Sequence, residues 1–142
     1  MSKISNILSR KGNNAISVSP VTSVLDALKV MAENNIGSVV VMEDGKFLGI
    51  ITERDYSRKV VLKGKNSSDT KVNEIMTTQF PALKPADTVE HCMELMTQTN
   101  IRYLPVFDAG NLAGIISISD VVKETIIVQQ QTIDHLHDYI HS

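Results

Sequence analysis

Pro20 to Asp55 overlays Pro85 to Asp120 at a constant shift of 65 residues, without a gap. Eleven of the 36 aligned positions are identical (Pro20/Pro85, Val24/Val89, Met31/Met96, Asn35/Asn100, Ile36/Ile101, Val41/Val106, Gly45/Gly110, Gly49/Gly114, Ile50/Ile115, Ile51/Ile116 and Asp55/Asp120), where ordinary residue usage gives roughly two. The chain is therefore an internal duplication. Two like modules are expected to pack about a pseudo-two-fold axis, which would set their matching ends around one cleft. Those ends are Gly49-Ile50-Ile51-Thr52-Glu53-Arg54-Asp55 and Gly114-Ile115-Ile116-Ser117-Ile118-Ser119-Asp120. At 142 residues the whole suits one core of ordinary domain size, while each half alone would be marginal, so the halves are expected to fold together.

Within copy one, turn and cap residues Ser19 to Ser23 precede Val24, Leu25, Leu28, Met31 and Ala32 at helical spacing. A β-branched run, Ile36 to Met42, then meets the Asp44-Gly45 hairpin signal, and Phe47 to Thr52 returns as a second strand. Thr52 opens a helix expected to run to about Leu62. Copy two repeats the order, with Val89, Cys92, Met93 and Met96 inward on its first helix, strands Tyr103 to Phe107 and Leu112 to Ser117, and a helix from Ser119. Each copy reads β-α-β-β-α, an α+β class.

A second match lies outside that frame. Lys3-Ile4-Ser5-Asn6-Ile7-Leu8 resembles Lys71-Val72-Asn73-Glu74-Ile75-Met76 at a shift of 68, so each copy carries a short leading helix. The changed shift leaves three extra residues in copy one, within Ser9 to Asn14. That basic addition is either a solvated loop or a device copy two lacks. The expected division is repeat one with its leading helix over 1–64, a polar linker over 65–70, repeat two over 71–126 and a helical extension over 127–142. The final helix, from Ser119 to about Ile140, would be roughly 33 Å long. Ile126, Ile133 and Ile140 recur every seven residues with Leu136 between them, and Gln129 breaks the stripe. It outruns its own repeat, so it is expected to pack either against the other copy or against another subunit, with the subunit contact, and hence a homodimer, the favoured of the two.

Formal charge is −2 and the pI near 6.0, with only three Phe and three Tyr, so neither nucleic acid nor an anionic membrane is an expected partner. The apolar runs are far shorter than the ~20 residues of a membrane span. Residues 1 to 8 lack a secretory pattern, and one cysteine, Cys92, fits a reducing compartment. A cytoplasmic location is expected. His137 and His141 stand i, i+4, but no carboxylate or cysteine set completes them, and no metal is expected. No phosphate-binding Gly-rich loop occurs.

At each repeat end a hydroxyl and an aspartate stand three residues apart across a first helical turn. A carboxylate there can accept from the two adjacent hydroxyls of a ribose, and Thr52, beside unpaired helix N–H groups, suits a phosphate. The same pair serves as cap and first-turn acid in any helix. Its occurrence twice, each time after Gly-Ile-Ile, is what points to a ligand.

These tandem copies, each ending in Gly-hydrophobe-x-Thr/Ser-x-x-Asp, resemble a pair of CBS domains (cystathionine β-synthase domains, or Bateman module) over nearly the whole chain. The stretches Ile7 to Gly12, Thr52 to Asp55, Tyr103 to Val106 and Gly114 to Lys123 are similar to small stand-alone members. The resemblance implies an adenine nucleotide (AMP, ADP or ATP, or NAD(H)) as regulatory ligand, an unidentified protein target and no catalysis. It implies Asp55 and Asp120 on ribose hydroxyls, Thr52 and Ser117 near phosphate, and Ile50 and Ile115 flanking adenine. Further contacts are implied from Ser17, Val18, Ser38, Val39, Ala82, Arg102, Tyr103 and Pro105. Gly37-Ser38 offers neither charge nor ring where Arg102-Tyr103 offers both, so the Asp120 site is expected to be the better one, with Arg54, Arg10 and Lys11 for a second phosphate. The rivals are a nucleotide hydrolase using Glu53 or Asp55 as base, and a scaffold with a vestigial cleft.

Overall fold

The computed structural model describes residues 2–12 and 15–141. In chain order the elements are α1 (Ile4–Lys11), β1 (Ser17–Val18), α2 (Val24–Asn34), β2 (Ser38–Glu43), β3 (Lys46–Thr52), α3 (Glu53–Tyr56) with a π-helical turn (Ser57–Val61), α4 (Val72–Ile75), α5 (Val89–Thr99), β4 (Tyr103–Asp108), β5 (Asn111–Ser117) and α6 (Ile118–His141). They form two compact units: a central one, Ala15–Phe80, and a terminal one, Met1–Asn14 with Pro81–Ser142.

In the central unit β1 runs parallel to β2, and β2 pairs antiparallel with β3. The hairpin turns on Asp44 and Gly45, whose φ of 50° and 76° are the two positive values that a tight I′ turn needs. Ser23 caps α2 by accepting from the Asp26 N–H at 3.1 Å, and Asn35 ends it in the left-handed region at φ 52°. Val24, Ala27 and Met31 of α2 then pack on Val39, Val41 and Ile51 of the sheet, with Val60, Val72 and Ile75 completing the core.

The terminal unit repeats this order. Ala109 and Gly110 (φ 50° and 82°) turn the β4–β5 hairpin, Thr88 caps α5, and Asn100 ends it at φ 57°. The Asn35/Asn100 and Gly45/Gly110 identities are thus backbone requirements. The first strand of copy two shrinks to a single parallel bridge, in which Leu83 exchanges backbone hydrogen bonds with Pro105 and Phe107 at 2.9 Å. Met93, expected inward, is 44 % exposed, because α5 buries Val89, Cys92 and Met96, and the residue beside Cys92 turns about 100° away. Copy one's last helix runs through Val61 with Leu62 as its C-cap, about the expected length, but only its first four residues are α and the rest form a π turn.

Sequence repeats and compact units divide the chain differently. Ile4, Ile7 and Leu8 of α1 lie in the core of copy two, with Leu83, Val89, Leu104 and Ile116, while Val72 and Ile75 of α4 lie in that of copy one. Matching backbone bonds fix the exchange. Ser5 N–H donates to Pro85 O at 2.9 Å, and its counterpart Asn73 N–H donates to Pro20 O at 3.2 Å. The conserved spacing of the two prolines within the repeat marks the docking loop of the other copy's leading helix.

Burial pushes the Cys92 thiol up from its ordinary 9.0 to about 11, helped by the Asp120 and Asp87 carboxylates. An acid whose folded value is raised costs nothing below its unfolded value. Above pH 9 the unfolded chain ionises first, so stability should fall as pH rises from 9 to 11, by about 2 kcal/mol. Urea titrations of wild type and Cys92→Ala across that range would show the extra slope in wild type alone. Among the described residues no helix is long and apolar enough to cross a membrane.

Candidate functional site

At the end of β3, Thr52 caps α3. Its hydroxyl accepts from the Asp55 N–H at 3.0 Å, and Asp55 Oδ2 accepts from the Thr52 N–H and hydroxyl, each at 3.0 Å. Asp55 Oδ1 accepts from the Thr77 hydroxyl at 3.0 Å and from the Lys59 ammonium at 2.9 Å, and Lys59 also donates to Ile75 O. A carboxylate offers about four acceptor positions, and Asp55, 7 % exposed, uses them all. A ribose reaching it would have to displace Thr77 or Lys59.

Gly49 answers to the same segment. A Cβ there would stand 2.8 Å from Thr77 O, because Ile50 and Thr77 exchange backbone hydrogen bonds at 3.0 and 2.8 Å. At Gly114 a Cβ would meet Leu8 of α1 at 2.7 Å. At both glycines the close approach is to the exchanged leading segment.

The corner at the end of β5 is built differently. Ser117 accepts from the Asp120 N–H at 3.2 Å, and Asp120 Oδ2 accepts from the Ser117 N–H at 2.8 Å and from the Lys11 ammonium at 2.7 Å. Lys11 also donates to Ile115 O at 2.8 Å. Among the described residues no hydrogen bond reaches Asp120 Oδ1, and the side chain is 18 % exposed. Arg10 pairs with both oxygens of Glu124, which is 2 % exposed. Glu124 sits where copy one has Lys59. The same corner is therefore balanced in two ways: copy one supplies the cation from the helix itself, while copy two places an acid there and draws Lys11 and Arg10 from α1. Copy one's Arg10-Lys11 match Thr78-Gln79 at the shift of 68, so the addition extends α1 by a turn to deliver two cations. This corrects the loop alternative over Ser9 to Lys11, with Gly12 as the C-cap at φ 86°; Asn13 and Asn14 lie outside the described residues. It also revises Arg10, which is committed to Glu124 instead of standing ready for a phosphate.

Ile7, Arg10, Lys11, Asp120, Lys123 and Ile127 line an open pocket of about 90 Å³ between α1 and α6. Ligand pockets usually run from about 300 Å³, so this one admits a phosphate or a sugar. The other expected residues fall on or beside the strands. Ser38 pairs with Thr52 and Tyr103 with Ser117, while Val39, Ile50, Pro105 and Ile115 are buried. Val18 and Arg54 are half-buried; Ser17, Ala82 and Arg102 are exposed. Reasoning from sequence missed Lys59, Thr77, Lys123 and Glu124. The signal for two of them was available: opposite charges at matched positions 59 and 124, each four residues beyond the repeat's aspartate.

A model of the CBS domain matches residues 4–61 and again 72–126. The chain belongs to the CBS-domain family. The mitochondrial CBS domain-containing protein CBSX3 of Arabidopsis thaliana is 36 % identical over 146 aligned positions, covering 96 % of this chain and 71 % of the relative. The solved structure of a putative signal-transduction protein with CBS domains from Burkholderia ambifaria is 42 % identical in sequence, with a TM-score of 0.85 over 89 % of this chain and 95 % of that one. A hexameric CBS-CP12 protein from bloom-forming cyanobacteria is 30 % identical, with a TM-score of 0.76 over 91 % and 74 %. The tandem CBS pair expected from the repeat is therefore the fold, and its α+β character holds. CBS pairs are as a rule regulatory and often bind nucleotides.

Proposed function

We propose that this CBS pair is a regulatory sensor of an adenine nucleotide, AMP or ATP with NAD(H) as the further option, held at the Asp120 corner and read by a protein target. The observation that carries the reading is the contrast between the two aspartates. Asp55 has both oxygens filled, whereas Asp120 keeps Oδ1 open beside a lysine ammonium. A ribose hydroxyl fits the open oxygen, and a phosphate fits Lys11, a point charge on a flexible stem. Moving Lys11 from Asp120 to the ligand would shift the end of α1, and the target would respond by the difference in free energy between the two arrangements. No metal is needed for this recognition. A cytoplasmic setting suits a chain whose one thiol is buried.

A thermal-shift panel of AMP, ADP, ATP and NADH tests the reading. A ligand at a hundred times its dissociation constant adds about 2.7 kcal/mol, and no shift with any of them would favour the scaffold instead. In calorimetry, Asp120→Asn should weaken binding ten- to a hundredfold, in line with about 1.5–3 kcal/mol for a charged hydrogen bond. Asp55→Asn should change it far less, and equal losses would contradict the ranking. The hydrolase alternative loses Asp55 as its base, because both of its oxygens are already engaged, and keeps only the exposed Glu53; turnover of ATP or NADH on incubation would favour it.

A further inference from the structure

Beyond its last buried residue, Glu124, helix α6 continues to His141, and every residue from 129 to 141 is exposed. An isolated helix of that length is marginal in water, yet its surface is patterned. Val122, Ile126, Gln129, Ile133, Leu136 and Ile140 follow one another at steps of four, three, four, three and four, the a/d alternation of a coiled coil. The apolar members are 54–73 % exposed. All four acids of the helix lie off this stripe. Asp120 and Glu124 face α1, and Asp134 and Asp138 follow at the same heptad positions. The stripe is thus opposite the face that packs on the terminal unit, and no like-charged pair guards it.

We infer that this face docks against a second copy of the chain as a parallel, in-register two-stranded coiled coil, with Gln129 meeting its own counterpart. The residue types select that occupant. Isoleucine at the a positions 126, 133 and 140 with leucine at d position 136 favours two parallel strands. In a parallel pair the two Gln129 amides face each other and can donate to and accept from one another. In an antiparallel pair Gln129 would face Ile133 and leave its amide unpaired. The neighbouring positions across a parallel seam, Thr125 with Gln130 and Thr132 with His137, oppose no like charges at neutral pH. This gives the expected homodimer a surface and a direction, and it stands independently of the nucleotide reading.

Light scattering on the full chain should give twice 15.6 kDa, and Ile133→Asp, at an exposed position, should give the monomer mass with a cooperative melt retained at a lower midpoint that no longer depends on protein concentration. In a Cys92→Ala background, Gln129→Cys should cross-link to itself under mild oxidation. A monomeric wild type, which would leave the stripe for another protein, overturns the inference. So does a dimer that survives Ile133→Asp, or cross-linking only when Gln129→Cys is mixed with Ile133→Cys, the antiparallel result.

Discussion

Replacing Ile4 by alanine should destabilise the protein by about 3 kcal/mol, although the residue lies close to the start of the chain. Its side chain is fully buried among Leu83, Val89, Leu104 and Ile116 of copy two. Truncating a buried isoleucine costs about 2–5 kcal/mol, through lost transfer energy and the cavity left behind. Urea unfolding would show a lower midpoint at unchanged slope. The informative part is the coupling. A double-mutant cycle between Ile4→Val and Leu104→Ala should show an interaction energy of at least about 0.5 kcal/mol, as neighbours in one core do. Coupling to Ile51 instead would return α1 to its own repeat.

Arg10→Ala should cost a similar amount, about 3 kcal/mol, and lower the melting temperature by roughly 10 °C. Arg10 is half-exposed, but its partner Glu124 is almost wholly buried. Losing the guanidinium leaves that carboxylate without its counterion, the situation in which breaking a buried pair is most expensive. The low end of the usual range applies because water can enter where Arg10 stood. The double variant Arg10→Leu with Glu124→Leu should recover most of the loss, since an apolar pair of similar volume avoids desolvating two charges. Calorimetric melts of the two variants decide the matter, and a double variant as unstable as Arg10→Ala would show that the pair is not what holds α1.

Much of this structure was legible in the residues because the repeat isolates what matters. Hairpin glycines, helix-ending asparagines and cap hydroxyls are local devices, so a 65-residue overlay exposes them directly. The aspartates were legible for the same reason, since each is read from its own helix start. What escaped was non-local. Gly49 and Gly114 yield to a segment distant in sequence, and Asp55 is saturated by Thr77, which no short motif contains. Arg10 and Lys11 stood out as a basic addition, but their partners lie more than 100 residues away.

By itself the amino-acid order determined the duplication, the α+β alternation, the family and the two aspartate corners, because periodicity, caps and turn residues act over a few positions. Only the tertiary structure decided which core each leading helix fills and which corner keeps an open carboxylate oxygen. The two cores are near copies, so either would accept an Ile-x-x-Ile-Leu helix on hydrophobic grounds. The choice lies in backbone bonds to Pro20 and Pro85 and in where two cations meet a buried Glu124 and a partly exposed Asp120, and these are distances in space that a one-dimensional pattern does not carry.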